Sequence, residues 1–444
     1  MKKSFILAIF ALFSAWMAFA DATVSIVDIR QDWPWSVNTK IVYKLSNTEG
    51  VPQDIKVSVF SGSMVLDVAM ESFSGDRYAI AEGENHCIEW NPAKAKIGHL
   101  GKAAELSFKI EAQPAKTYKY LVLDLSEGSR EGAKYPTYFL DEVPQGGWSD
   151  EFKTEKLVLR RCEPGTFIIG TPVDELNHAS SGASTETQAE VTFTNHFYLG
   201  VFEMTVRQYE LISGTNICYA NSSGLLVADN ANPKVPAVGL KYYDLRGHGI
   251  DNKPWPKSVV PDEGSLMDLM RKRVNLPSTV PAGWVFDLPT EAQWEYACRA
   301  GTTTAWNNGT SQNPSSANTS ASDPNLALLG WYRDNAGSVR HDVGLKLENA
   351  WGFYDMHGNA SEYVLEGCTN EQIPSGVEPR NVTGSRNFYL ARRSRGGGYV
   401  SSYVHCRSGA RTEIWNMYTT DVFKNTASGL AMGLRLCLHY EPGK

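Results

Sequence analysis

The run Trp351-Gly-Phe-Tyr-Asp-Met-His-Gly-Asn-Ala-Ser-Glu362 constrains what this chain can fold into more than any other stretch. It joins an aromatic anchor to a tight turn carrying Asp355, Gly358, Asn359 and Glu362. Two carboxylates separated by a turn, with turn carbonyls between them, suit a hard cation such as Ca²⁺, which takes several oxygen ligands in flexible geometry. The same run also reads as a Gly-Asn turn between two buried elements. Either way it demands irregular backbone that is nevertheless packed.

At 444 residues there is room for two or three domains. The net charge of −7 lacks the basic footprint of a nucleic-acid binder. Lys2-Lys3, the apolar stretch Phe5 to Phe13 and the small-x-small run Ala18-Phe19-Ala20 read as a signal peptide over residues 1–20, with Asp21 as the mature N-terminus. No Cys follows the cleavage site, and no later apolar run is long enough to span a bilayer. The short signal looks bacterial and predicts a periplasmic or secreted protein. That compartment permits disulfides. Seven cysteines remain after cleavage, an odd number, so at least one is free or pairs with another chain. Their wide spacing and the lack of C-x-x-C argue against structural zinc.

Residues 21–113 read as short strands: Val24–Ile29, Lys40–Leu45, Ile55–Phe60 and Glu105–Ile110 alternate or run β-branched, with turns such as Asn47-Thr-Glu-Gly50 between them. This pattern predicts a β-sandwich of immunoglobulin or fibronectin type. Residues 114–155 turn polar and Gly-rich after one possible strand and read as a connector. Residues 156–440 form one large domain with few regular elements. Thr205-Val-Arg-Gln208 and Thr290-Glu-Ala-Gln293 fit the capping box. The second predicts a helix from Glu291 to Ala300 that stops at Gly301. Residues 307–325, rich in Asn, Ser and Thr, read as a surface loop.

The Trp351–Glu362 run resembles the W-G-L-Y-D-M-x-G-N-x-W-E-W signature of the formylglycine-generating enzyme (sulfatase-modifying factor) family. Further segments match in the same order: Gly165-Thr-Phe-Ile-Ile-Gly170, Phe197-Tyr-Leu-Gly-Val-Phe-Glu-Met-Thr205, Pro236 to Asp244, Leu288-Pro-Thr-Glu-Ala-Gln-Trp-Glu-Tyr-Ala297, Arg395-Gly-Gly-Gly398 and Gly433-Leu-Arg-Leu436. Together they cover about residues 156–438. The resemblance implies an α+β, C-type-lectin-like fold with little regular secondary structure behind the β-sandwich. It also implies a Ca²⁺ site built from the side chains of Asp355 and Glu362 and the carbonyls of Gly358 and Ala360. A Cys298–Cys437 disulfide follows from the same comparison; a further pair, Cys368–Cys406, would take up the one thiol that could bind copper.

The family's oxidases convert a substrate cysteine to formylglycine with O₂ and a Cu⁺ held by two thiolates, a soft metal on soft ligands. The matching positions here are Ser401 and Cys406, so one thiol is replaced by a hydroxyl, and Gly398 stands where the family has serine. The H-x-x-x-H-x-E spacing of iron-dependent relatives is missing, as are H-E-x-x-H, G-x-S-x-G and Walker A patterns. His341, His357 and His405 lie in motif segments and read first as surface residues. Two functions follow as expectations. One is a secreted peptide- or glycan-binding module, with Trp306, Trp331, Tyr332, Tyr399, Tyr403 and Trp415 as candidate stacking residues. The other is a formylglycine-generating oxidase acting on a sulfatase cysteine, which would need Cu⁺.

Overall fold

A computed structural model describes residues 22–31, 36–97, 106–180, 185–216, 218–220, 226–228, 232–247, 259–276, 280, 283–313, 322–367, 375–379, 391–415 and 431–441. The signal segment and Cys368 lie outside them. The chain divides into two compact units, residues 1–116 and 117–444.

In the first unit the described residues form strands β1 (Thr23–Gln31), β2 (Thr39–Ser46), β3 (Gln53–Ser61), β4 (Met64–Leu66), β5 (Phe73–Gly75), β6 (Gly83–Trp90) and β7 (Leu106–Pro114). They make two antiparallel sheets, ordered β1-β2-β6-β5 and β4-β3-β7. Alternate side chains of a strand point to opposite faces. Ile41, Tyr43 and Leu45 of the first sheet therefore meet Ile55, Val59 and Ile110 of the second in one core, with Trp90 and Phe73 beside them. This is the expected sandwich. The short strands β4 and β5 were not legible because neither is long enough to alternate.

The second unit is built on a six-stranded sheet. Its strands are β8 (Tyr120–Asp124), β9 (Thr137–Leu140), β10 (Lys156–Cys162), β13 (Phe197–Gly200), β16 (Trp284–Asp287) and β22 (Cys437–Tyr440), in the order β16-β22-β13-β10-β8-β9. The expected connector over 114–155 is thereby corrected. It supplies β8 and β9, and β8 buries all five of its residues against β10. A three-stranded sheet joins β11 (Gly165–Ile169), β12 (Ala189–Phe193) and β18 (Gly376–Val377). A four-stranded sheet orders β20 (Thr412–Trp415), β19 (Ala391–Arg395), β17 (Ser361–Gly367) and β21 (Met432–Gly433), and a hairpin pairs β14 (Cys218–Ala220) with β15 (Leu226–Ala228).

Helices α1 (Val206–Ser213) and α4 (Glu291–Arg299) start at complete capping boxes on Thr205 and Thr290, as their sequences predict. The C-terminus of α4 differs by one residue, with Ala300 taking the left-handed cap at φ 46° before Gly301. Helices α2 (Tyr242–Arg246), α3 (Leu266–Arg273) and α5 (Pro324–Leu329) complete the set among the described residues. The last falls at the end of the segment expected as a surface loop, where Asp323 caps Asn325 N and Leu326 N.

Few regular elements leave many backbone carbonyls to be satisfied by side chains. Buried arginines do this work. Arg411 holds Glu291 through two contacts of 2.6 and 2.9 Å, Arg407 holds Glu186 at 2.7 Å, and Arg246 holds Asp287 at 3.0 Å. Burial alone would raise the Glu291 carboxyl, but Arg411, Arg393 and Arg395 hold it down at about 2. The planar guanidinium matches a carboxylate bidentately, and its remaining donors reach carbonyls.

The expected Cys298–Cys437 disulfide is not formed; both thiols are free and fully buried. The helix phase explains it. Cys437 contacts Gln293, while Cys298, five residues further along α4, contacts Met356 O and His357. Five residues turn a helix by about 140° past a full circle, so the two sulfurs address different sides of α4.

Candidate functional site

The Trp351–Glu362 turn is shaped by backbone that few residues adopt. Asp355 and Asn359 sit in the left-handed region at φ 57° and 61°, which Asp and Asn tolerate better than most side chains. Gly358 lies at φ 124°, and a Cβ there would fall 2.3 Å from Trp331 O. Glycine at this point lets the turn press against the Trp331 backbone. Asn359 then ties the turn in three directions. Its N donates to Trp331 O (2.7 Å), its Oδ1 accepts from His341 N (3.0 Å), and its Nδ2 donates to Glu203 (2.8 Å).

Three buried carboxylates collect here. Glu203, which follows β13, accepts from Ala360 N at 2.7 Å as well as from Asn359. Glu362, on β17, accepts from Trp294 Nε1 of α4 at 2.7 Å and from Arg435 at 2.8 and 3.1 Å. Asp355 Oδ2 accepts from Gly344 N at 2.6 Å, and its Oδ1 is buried with no hydrogen-bond partner. Burial, with the Glu362 charge adding to it, pushes the Asp355 carboxyl up to about 6. Burial followed by the Asp355 and Glu362 charges pushes Glu203 well above the usual carboxylate range. One guanidinium, Arg435, thus faces three carboxylates.

Orphaned Asp355 Oδ1 suits a hard divalent cation, which would draw also on the carbonyls of Gly358 and Ala360, while Glu362, the other expected ligand, is already held by Trp294 and Arg435. No group of three His, Cys, Asp or Glu side chains among the described residues forms a cage by itself, so the carbonyls would be needed. Such an ion would supply charge neutralisation and hold the turn. Glu203, Arg435 and Trp294 were missed as site residues in the sequence. Their segments were read as fold markers, and the Glu of Phe202-Glu-Met-Thr205 was the available signal.

Ser401 and Cys406 follow the glycine run after β19. Gly398 has no room for the family's serine, because a Cβ there would lie 2.8 Å from the Ala431 Cβ and 3.2 Å from Ser361 N. Ser401 is half-buried; its Oγ accepts from Gly398 N at 3.0 Å and closes the turn. Cys406 ends the 3₁₀ turn Tyr403–Cys406 and is fully buried. It packs in a cluster with Trp306, Leu326, Leu329, Tyr332 and Tyr403. Burial pushes its thiol far above the ordinary value, the opposite of what a metal-binding thiolate requires. Trp306, Tyr332 and Tyr403 are core and not stacking residues; the Trp415 side chain is outside the described residues.

The three histidines are held apart by separate duties. His357 Nδ1 donates to Cys406 O at 2.7 Å while Nε2 accepts from Asn307 N at 3.1 Å. Burial lowers it to about 4, so it is a neutral clamp inside the fold, not the surface residue expected. His341 stacks on half-buried Trp331, ring centroids 3.7 Å apart, with Lys346 Nζ also 3.7 Å from the Trp331 ring centroid. His405 is exposed.

Residues 151–425 match the sulfatase-modifying factor enzyme 1-like domain. A chaperone protein named LppX from Paenibacillus barcinonensis is 25% identical over 259 residues, covering 52% of this chain and 81% of that protein. Among solved structures, variable protein 1 of Treponema denticola covers 65% of this chain and 96% of its own at 20% identity and a TM-score of 0.43. PvdO from Pseudomonas aeruginosa covers 64% and 94% at 19% identity and a TM-score of 0.43. No helix among the described residues is long and apolar enough to cross a membrane. The domain match takes in more than half of the chain and includes the turn, the carboxylates and the Ser401–Cys406 segment, so the chain belongs to the sulfatase-modifying factor (formylglycine-generating enzyme) domain family.

Proposed function

We propose that this protein is a divergent, non-oxidising member of its family that binds a peptide or glycan outside the cytoplasm. The carrying observation is Cys406. It is sealed in an aromatic cluster with a raised thiol pKa, and the position that would hold its partner thiolate is Ser401. A single protonated thiol, with a hydroxyl at the matching second position, is a poor Cu⁺ site. The Paenibacillus barcinonensis relative carries the name of a chaperone, in keeping with a polypeptide ligand. Copper titration tests the reading. The natural chain should bind Cu⁺ weakly, and Ser401→Cys should bind it measurably tighter by supplying a second sulfur. Tight Cu⁺ binding by the natural chain would contradict it.

Ca²⁺ belongs to the same proposal as a structural ion at the Asp355 turn. Ligand that binds only the folded state raises the melting temperature by mass action. Added Ca²⁺ should therefore raise the melting temperature of the natural chain and leave that of Asp355→Ala nearly unmoved. An equal rise in both would place any Ca²⁺ elsewhere.

A further inference from the structure

We infer that a pocket beside the N-terminus of α4 is a subsite for the cationic side chain of a bound peptide, an assignment that rests on the peptide-binding reading above. Phe193, Thr290, Gln293, Glu378, His439 and Tyr440 line it, and it is open to solvent.

A helix N-terminus ordinarily favours an anion. Here the donors are engaged: Thr290 N reaches Gln293 Oε1 (2.9 Å), Gln293 N reaches Thr290 Oγ1 (3.1 Å), and Glu291 N reaches Glu366 Oε2 (2.8 Å). The pocket offers acceptors instead. His439 is only 3% exposed, yet neither ring nitrogen has a hydrogen-bond partner. Glu441 Oε2 lies 3.5 Å from its Nε2. With a proton on Nε2 turned to Glu441, Nδ1 is an acceptor.

Glu378 is fixed by four donors: Thr194 N (2.9 Å), Thr194 Oγ1 (3.2 Å), Asn195 N (3.0 Å) and Asn195 Nδ2 (3.4 Å). All four land on Oε1, and none on Oε2. Phe193 and the 40% exposed Tyr440 give an apolar wall for a methylene stem, and aromatic faces also attract a cationic head. An anionic ligand would instead meet the charge of Glu378. Acceptors, a carboxylate and aromatic walls together select a Lys or Arg side chain.

The test uses the full chain and two acetylated pentapeptides that differ only in a central Lys or norleucine, with n-butylammonium chloride and 1-butanol as head-group probes, all followed by calorimetry. The Lys peptide should bind at least tenfold tighter than the norleucine peptide, and n-butylammonium should bind saturably where 1-butanol does not. Glu378→Gln keeps an oxygen for Thr194 and Asn195 while removing the charge, and should abolish both preferences. His439→Gln is the second variant and should weaken them. Equal binding of the two peptides leaves the binding module standing and overturns the subsite. Saturable n-butylammonium binding lost in Glu378→Gln, with neither peptide bound, upholds the subsite and overturns the peptide reading. No binding of any cationic probe, or a Lys preference unchanged in both variants, overturns the subsite.

Discussion

Replacing Arg435 with leucine should destabilise the second unit by about 3–5 kcal/mol, the range seen when one partner of a buried ion pair is removed. Every arm of this guanidinium is engaged. Nε and Nη2 reach Glu362, Nη1 donates to Gly200 O and Val201 O at 2.9 Å, and Nη2 also donates to Tyr354 O at 2.9 Å. Leucine would remove a donor from Gly200 O, Val201 O and Tyr354 O and strand Glu362 beside Glu203 and Asp355, with no guanidinium among them. Denaturant unfolding should show the loss in the second unit's transition, with the sandwich transition unmoved as an internal control. A loss below about 1 kcal/mol would mean that Glu362 is compensated by something else.

Trp294→Ala should cost about 3–5 kcal/mol, the usual range for truncating a buried aromatic side chain. Trp294 is fully buried on α4, at the centre of the cluster that includes Phe197, Phe353, Met356 and Val364. Its indole also lies against the Arg395 guanidinium, 5.4 Å from ring centroid to Cζ. Truncation opens a cavity and also removes the Nε1 donor from Glu362. Trp294→Phe separates the two effects, since it fills most of the space and lacks the donor. It should retain most of the packing and lose about 1.5–3 kcal/mol for the hydrogen bond to a charged group, Glu362 still being held by Arg435. Equal losses in the two variants would assign the whole role of Trp294 to the hydrogen bond.

Local chemistry in the sequence foretold local structure. The capping boxes at Thr205 and Thr290 depend on residues three apart, so they could be found without knowing any partner. The alternation of β2 showed its buried face in the same way. Strand β17 could not be found like this, because all seven of its residues are buried and Glu362 and Glu366 point into the protein with the apolar ones. Its polarity makes sense only beside Arg435 and the Glu291 backbone, which come from distant segments. β8 matches the one strand that Tyr118 to Leu125 suggested, whereas β9 was hidden by the Gly-rich stretches around it. The site was legible in part for the same reason. Asp355, Gly358, Asn359 and Glu362 share one turn, whereas Glu203 lies more than 150 residues away from Asn359 and is joined to it only by the fold.

The reaction itself is the most direct test of a non-oxidising protein. The natural chain, Cu⁺, O₂ and a peptide containing C-x-P-x-R are incubated together, and the peptide is then examined by mass spectrometry. The buried, protonated Cys406 and the hydroxyl of Ser401 predict a peptide that keeps its cysteine. Formylglycine in the product would contradict that account and make this chain an oxidase.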